Sequence, residues 1–285
     1  MTAPPSGESL SEAYAHCESL ARAQDRDRWL SALFAPTSAR AHLHALSAFN
    51  YEVGRLREIV REPLAGELRL TWWRDAVTRS DASGHPVSEA LLETIAKFKL
   101  PTALFENHIA ARQFDLYDDA MPTLHDLEGY CGETCSSLFQ LAALILAGGR
   151  DVGAADASGH AGVAFAITRR LLGLPIARAS FLPRDMLERH GVSRADLAER
   201  RVGPGLAAAL RELIAIARAH LAKAETHLEA LPATVAPAFV PLGAVRLDLK
   251  RAQRASAAPF APTAEAPAWR RQLALWAWAR GRRGG

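Results

Sequence analysis

The sequence is poor in cysteine, in long apolar runs and in net charge. Three cysteines among 285 residues, in a chain without a charged and then apolar N-terminal leader, predict a reducing compartment and no disulfide framework. The longest apolar run covers residues 138–146, well short of the ~20 residues that a membrane-spanning helix needs. A net charge of +3 is too small to indicate nucleic-acid binding. We therefore expect a cytoplasmic protein that neither spans a membrane nor binds nucleic acid.

Strand patterns and common hydrolase motifs are also missing. Runs in which apolar and polar residues alternate do not occur, whereas apolar residues recur at spacings of three and four, so we predict an all-α protein. The ten histidines form no H-E-x-x-H pattern and no recognisable triad with a serine nucleophile. We therefore assign no catalytic histidine.

The helical pattern divides the chain into three segments. We predict an all-α domain over residues 1–254, a Pro- and Ala-rich linker over 255–267 and a C-terminal helix over 268–285. The strongest periodicity belongs to a helix that opens at Pro36 and runs to about Arg61. Its apolar stripe consists of Leu46, Phe49, Val53, Leu56 and Val60. A polar strip beside that stripe consists of Asn50, Gly54, Arg57, Glu58 and Arg61.

One segment of this helix carries the main clue to function. Residues 45–58 read Ala-Leu-Ser-Ala-Phe-Asn-Tyr-Glu-Val-Gly-Arg-Leu-Arg-Glu. This resembles the Ala-Leu-Tyr-Ala-Phe-Cys-Arg-x-x-Asp-Asp-x-x-Asp segment of squalene and phytoene synthases, whose three aspartates hold Mg²⁺ against a diphosphate. Those aspartates correspond here to Gly54, Arg55 and Glu58, so two carboxylates are absent and one position has become a cation. The cations of the polar strip either pair with Glu58 in a solvated face or contact a phosphate directly.

Further segments resemble the same family and follow its order. They are residues 27–36, 67–75, 115–117 with 127–131, and 180–183 with 191–192. The resemblance covers roughly residues 12–250. It implies a single-domain, all-α helical bundle of the isoprenoid-synthase type around a central cavity.

The second acidic motif of that family is missing. The resemblance implies an Asp-x-x-x-Asp pair on the helix before Phe181, but no Asp or Glu occurs between Asp156 and Asp185. That helix instead offers Thr168, Arg169 and Arg170. The chain is therefore most similar to a non-catalytic branch of the superfamily, the phytoene-synthase-like assembly factors of respiratory complex I. The residues that carry this likeness are the Ala-Phe-Asn-Tyr-Glu run at 48–52 and the Leu-Pro-Arg-Asp run at 182–185.

The resemblance leads to two hypotheses from different classes. In the first, the chain has no catalytic residue and no cofactor, and it assists assembly of a membrane respiratory complex by binding protein partners. In the second, it joins two prenyl diphosphates head to head, with Mg²⁺ held by Glu58 or Asp115. A third, intermediate hypothesis is that the chain retains a cavity that binds an isoprenoid or lipid without turnover. The candidate cavity or ligand-binding residues are Asn50, Tyr51, Gly54, Arg55, Glu58, Trp73, Thr168, Arg169 and Arg170.

Two smaller motifs admit alternatives. Cys131 and Cys135, with Glu128 and His125 one turn earlier, have a spacing that suits zinc but equally suits small residues packed between helices. Asp115, Asp118 and Asp119 either bind a cation or form the solvated end of a helix.

The C-terminal segment is basic and amphipathic. From Arg246 onward, nine Lys and Arg residues against two acidic residues leave a net charge of +7. Trp269, Leu273 and Trp276 fall on one face of the final helix. Such a helix either lies peripherally on the inner face of an anionic membrane or docks on the bundle.

Overall fold

The structure is a computed structural model that describes residues 7–82, 84–117, 119–175 and 179–281. The α-helices are α1 (Gly7–Gln24), α2 (Arg26–Ala32), α3 (Thr37–Gly54), α4 (Leu56–Ile59), α5 (Pro63–Arg79), α6 (Pro86–Phe98), α7 (Thr102–Ala111), α8 (Gln113–Leu116), α9 (Leu124–Cys131), α10 (Ser137–Leu146), α11 (Ala155–Gly173), α12 (Arg184–Arg189), α13 (Arg194–Ala198), α14 (Pro204–His227), α15 (Leu242–Ala255) and α16 (Ala268–Gly281). No strand occurs in the described ranges, which confirms the all-α prediction. Nor does any helix there combine the length and apolar character needed to cross a bilayer.

Two apolar cores are joined by one helix. The first core is built mainly from α1, α3, α5, α6 and α7, and the second mainly from α9, α11, α14 and α15. Helix α10 is apolar on all sides and contributes to both. Leu141 and Ile145 enter the first core, whereas Phe139 and Ala143 enter the second. The two halves therefore form one bundle around α10.

A π-helical turn, Gly132–Ser136, connects α9 to α10 and packs against α11. Gly162 of α11 lies so close to this turn that a Cβ there would come within 2.3 Å of the Ser136 backbone nitrogen. The Ser136 hydroxyl also donates to the carbonyl of Gly159 at 2.9 Å. The missing side chain at position 162 thus allows α11 to lie directly against the π-helical turn.

The prediction of one helix from Pro36 to about Arg61 is wrong at its C-terminal end. Helix α3 ends at Gly54, Arg55 forms the junction with φ −81° and ψ −5°, and the short helix α4 follows. Glycine is a weak helix former, and Pro63 favours an extended backbone at the preceding residue, so the chain turns between them. The predicted polar strip is therefore interrupted: Asn50 and Gly54 stay on α3, but Arg61 lies outside any helix.

Helix α16 is docked on the bundle through one face. Leu275 and Trp278 are 1% and 8% exposed. Arg271 of the same helix binds two buried carboxylates, with Nε 2.5 Å from Asp27 Oδ1 and Nη2 2.9 Å from Asp248 Oδ2. Since Asp27 lies on α2 and Asp248 on α15, this triad ties the C-terminal helix to two earlier elements.

Candidate functional site

Five polar side chains from four parts of the fold meet at one buried point, which we call the Arg112 cluster: Asn50, Arg112, Asp115, Tyr130 and Arg170. Arg112 donates to Asn50 Oδ1 at 3.0 Å, to Asp115 Oδ2 at 3.1 Å and to the Tyr130 hydroxyl at 3.1 Å. Arg170 donates to Asp115 Oδ1 at 3.2 Å and to the Tyr130 hydroxyl at 2.6 Å. Tyr130 in turn donates to Asp115 Oδ2 at 2.7 Å. The carboxylate of Asp115 is thus bound from three sides.

The ends of helices bring these residues together. Arg112 lies at the junction of α7 and α8, and Asp115 follows on α8. Tyr130 and Arg170 stand in the last turns of α9 and α11, and both helices contact the π-helical turn. The π-helical turn begins directly after α9 and is also in contact with α7.

The electrostatics of the Arg112 cluster favour two cations and one anion. Burial acts to lower the pKa of Arg112, but Tyr130 and Asp115 beside it raise that pKa above its ordinary value. The pKa of Arg170 is raised in the same way. Burial raises the pKa of Tyr130, so the phenol stays neutral and donates a hydrogen bond to Asp115. The cluster therefore carries a net charge of +1 in the interior.

Arg112 lies beside Gly54, the first of the three altered motif positions. A Cβ at Gly54 would be 3.7 Å from the guanidinium carbon of Arg112. Arg55 turns away to bind Glu52, with Nη2 2.8 Å from Oε2, and its guanidinium lies 5.2 Å from the centre of the Tyr51 ring. Glu58 is exposed on α4. The three motif positions therefore present no group of carboxylates to a metal ion.

The remaining candidates make other contacts. Trp73 is buried in the first core, with its ring centre 5.5 Å from that of Phe49. Thr168 is fully buried and donates to the carbonyl of Ala164 in its own helix at 2.6 Å. Arg169 is exposed, although its neighbour Arg170 joins the Arg112 cluster.

The sequence analysis missed Arg112, the residue that connects most of the cluster. It lies 62 residues from Asn50, and no motif marks it. Tyr130 and Asp115 are part of segments that resemble the family, but nothing in those segments showed that they bind each other.

The metal candidates receive no support from the geometry. Among the described residues, no group of three or more His, Cys, Asp and Glu side chains could hold a metal ion. Cys131 is fully buried and, like Cys17 and Cys135, is a free thiol. Asp115 is occupied by Arg112 and Arg170, and Asp118 falls outside the described residues.

The open space in the molecule lies mainly beside the bundle axis. Between α2, α3 and α10 a pocket of about 30 Å³ remains, which is room for a water molecule or two. Arg28 borders it, with its guanidinium 4.7 Å from the centre of the Phe165 ring. A much larger cavity, about 1510 Å³, lies between α7–α9 and α12–α13. Tyr130 and Phe114 line this cavity, so it adjoins the Arg112 cluster.

Comparison with known proteins identifies the family. Residues 21–277 match the family described as "Squalene/phytoene synthase". The chain belongs to this family.

Within the squalene/phytoene synthase family, the chain is similar to relatives named "NADH dehydrogenase (ubiquinone) complex I, assembly factor 6". It is 30% identical to the rat protein over 92% of this chain and 80% of that one. It is also 30% identical to the human protein over 87% and 76% of the two chains. A crystal structure of a dehydrosqualene synthase in complex with a ligand superposes with a TM-score of 0.82 at 19% identity, covering 98% of this chain and 99% of that one. This last likeness shows the shared fold and confirms the predicted bundle.

The Arg112 cluster sets this member of the squalene/phytoene synthase family apart from the acidic motifs that the resemblance implied. The first motif retains only Glu58, which is exposed, and the helix of the second motif contributes Arg170 where carboxylates were expected. A positively charged, internally hydrogen-bonded cluster thus takes the place of an acidic one.

We expect the substitution Tyr130→Phe to lower the free energy of unfolding by about 1–3 kcal/mol, because Asp115 and both arginines lose a shared hydrogen-bond partner. Urea unfolding followed by circular dichroism measures the change. The matched control is Tyr117→Phe, whose exposed hydroxyl binds Glu67, and its effect should stay within about 0.5 kcal/mol. A Tyr130→Phe protein as stable as the wild type would show that the cluster adds nothing to stability.

Proposed function

We propose that this chain is a non-catalytic factor that assists assembly of a membrane respiratory complex, namely respiratory complex I. The relatives named complex I assembly factor 6 support this role. The observation that carries the proposal is the position of Arg112, which lies beside Gly54 and binds Asp115. A protein interaction requires the bundle but not a metal-binding cavity.

The same observation argues against prenyl transfer. Head-to-head condensation in this family uses Mg²⁺, which takes hard oxygen ligands such as carboxylates. Here Asp115 is held by two arginines and a tyrosine, and Glu52 is held by Arg55. Binding Mg²⁺ at Asp115 would require these contacts to break beside two permanent positive charges.

Deletion of the gene tests the assembly role. The deletion strain should lose NADH dehydrogenase activity of complex I, while its isoprenoid products stay unchanged. Expression of the wild-type chain from a plasmid should restore that activity. Normal complex I in the deletion strain would rule the role out.

The large cavity favours a second role, the binding of an isoprenoid or lipid without turnover. Its volume of about 1510 Å³ exceeds that of a typical small-molecule site, and aromatic and aliphatic side chains, including Phe114, Leu187 and Phe260, line it. Native mass spectrometry of the purified chain should then show a bound lipid that organic extraction removes. A mass equal to that of the polypeptide alone would contradict this role.

The double substitution Gly54→Asp with Arg55→Asp is expected to give a folded protein without prenyltransferase activity. A side chain at position 54 meets Arg112 at ordinary contact distance, so the new carboxylate forms an ion pair rather than a metal site. Incubation with farnesyl diphosphate and Mg²⁺ should release no pyrophosphate from either the variant or the wild type. An active squalene synthase serves as the positive control. Pyrophosphate release by the wild type would establish the enzyme alternative instead.

We also propose that the protein works from the cytoplasm, peripherally at the inner face of the membrane. The absence of a membrane-spanning helix in the described ranges agrees with a peripheral position. Helix α16 supports this position, because it is docked on the bundle by one face and exposed on the other.

A further inference from the structure

Helix α16 presents large apolar side chains to the outside although its opposite face is firmly packed. Trp269, Leu273 and Trp276 are 60%, 52% and 46% exposed. Their spacing of four and three residues places them on one side of the helix, together with Arg280. We call these four residues the outer face of α16. Leu275 and Trp278 make the contact with the bundle, so the residues of the outer face are not needed for docking the helix.

Arginine side chains accompany both tryptophans. The guanidinium of Arg270 lies 5.1 Å from the centre of the Trp269 ring, and that of Arg280 lies 4.9 Å from the centre of the Trp276 ring. Each pair thus combines a flat aromatic ring with a cation at its surface. Helix α16 contains no acidic residue that would neutralise these cations.

A basic groove runs along the side of the same helix. It has a volume of about 470 Å³ and lies between α15 and α16. Arg246 and Lys250 of α15 line one wall, and Ala274 and Ala277 of α16 line the other. Glu225 pairs with Arg246 at 2.7 Å, whereas Lys250 makes no ion pair within the part of the chain that the structure describes. The small side chains on α16 leave the groove open to the surface.

We infer that the outer face of α16 binds an anionic phospholipid bilayer, with the helix parallel to the membrane surface. Tryptophan favours the boundary between acyl chains and headgroups, and arginine favours the phosphate level directly above it. The outer face has this composition, and the basic groove beside it adds positive charge that attracts anionic lipid. The Arg271 triad fixes the helix against α2 and α15, so the apolar side chains are presented without unfolding or detachment.

This inference rests on the proposed peripheral position at the membrane and names the surface that makes the contact, but it does not depend on the assembly role. A bilayer contact needs only the purified chain and lipid, whereas the assembly role needs complex I subunits. Failure of one therefore leaves the other intact.

Vesicle co-sedimentation of the full chain tests the inference. We expect the protein to pellet with vesicles of phosphatidylcholine and phosphatidylglycerol in a three-to-one ratio, and to remain in the supernatant with pure phosphatidylcholine. High salt should release it, because salt screens the attraction between arginine and phosphate. Brominated acyl chains should quench tryptophan fluorescence, which reports insertion rather than surface adsorption.

Two variants separate the apolar and the charged contributions. Trp269→Ser with Trp276→Ser should weaken partitioning into anionic vesicles about tenfold or more and abolish the bromine quenching. Arg270→Gln with Arg280→Gln should weaken partitioning about fivefold per arginine. All four side chains are exposed, so both variants should unfold in urea like the wild type.

The matched control is Leu64→Ser with Leu68→Ser on α5. Both leucines are 66% exposed, and this variant removes a similar apolar surface from a different part of the molecule. It should bind anionic vesicles like the wild type. The inference is overturned if the wild type stays in the supernatant at low salt, or if the leucine variant loses binding as strongly as the tryptophan variant. A dimer that light scattering detects in the wild type but not in the tryptophan variant would overturn it too, because a second copy would then cover the outer face.

Discussion

The substitution Arg271→Ala should lower the free energy of unfolding by about 3–5 kcal/mol, since it leaves a buried carboxylate without its cation. Asp27 and Asp248 are almost completely buried, and Arg271 binds both. Asp248 keeps Arg251, whose Nη1 lies 2.7 Å from Oδ1, but Asp27 loses the guanidinium that holds α16 to α2. Equilibrium urea unfolding at neutral pH measures the loss.

A control on the same helix isolates this effect. Arg280→Ala removes an exposed arginine that stacks on Trp276, and it should change stability by no more than about 0.5 kcal/mol. Arg271→Lys keeps the positive charge but loses the planar guanidinium that binds both carboxylates. Its effect on stability should therefore fall between those of Arg271→Ala and Arg280→Ala. Equal effects of Arg271→Ala and Arg280→Ala would show that the triad does not stabilise the fold.

Acidification is expected to destabilise the protein strongly through His42. Burial, together with the nearby Lys97, lowers the pKa of His42 from 6.5 to about 4. Lys97 Nζ lies 3.0 Å from His42 Nε2, and since an ammonium can only donate, Nε2 must accept. The Thr94 hydroxyl donates its hydrogen bond to the carbonyl of Ala90. It must therefore accept from His42 Nδ1, which lies 2.9 Å from Thr94 Oγ1. These contacts specify the neutral imidazole.

The sign of the pH effect follows from this lowered pKa. The unfolded chain binds a proton at His42 below about pH 6.5, whereas the folded chain resists it until about pH 4. Stability is therefore fully present above pH 6.5 and is lost as the pH falls, by about 2 kcal/mol at pH 5 and about 3 kcal/mol at pH 4 for this residue. Burial also lowers the pKa values of His44, His85, His108 and His160, which adds to the loss in the same direction.

Urea unfolding at pH 7, 6 and 5 measures this dependence. His42→Gln should reduce its slope, because glutamine does not titrate. The control His125→Gln replaces an exposed histidine and should leave the slope as in the wild type. A wild-type protein as stable at pH 5 as at pH 7 would contradict the assignment of neutral buried histidines.

Helical periodicity was sufficient to predict the all-α class, and the family resemblance supplied the bundle architecture. The spacing of Leu46, Phe49 and Val53 identified α3. The basic C-terminal helix was also predicted, with its apolar face at Trp269 and Trp276. These features are local, so the order of residues along the chain determines them.

The composition of the site could not be predicted in the same way. Arg169 and Arg170 are equivalent in the sequence, yet only Arg170 reaches Asp115, because the rotation of α11 against α9 decides which side chain points inward. The apolar residues Leu56 and Val60 continue the period of α3, which concealed the break at Arg55. The π-helical turn before α10 has no sequence signature, although it helps to position Tyr130.

The Arg112 cluster also makes the loss of the acidic site hard to reverse by stepwise substitution. Asp115, Tyr130, Arg112 and Arg170 bind one another, so changing any one of them removes a hydrogen-bond partner from the others. Adding a carboxylate at position 54 only supplies Arg112 with another anion. A return to metal binding would therefore require several substitutions at once. The cluster thus makes the altered motif resistant to gradual sequence change.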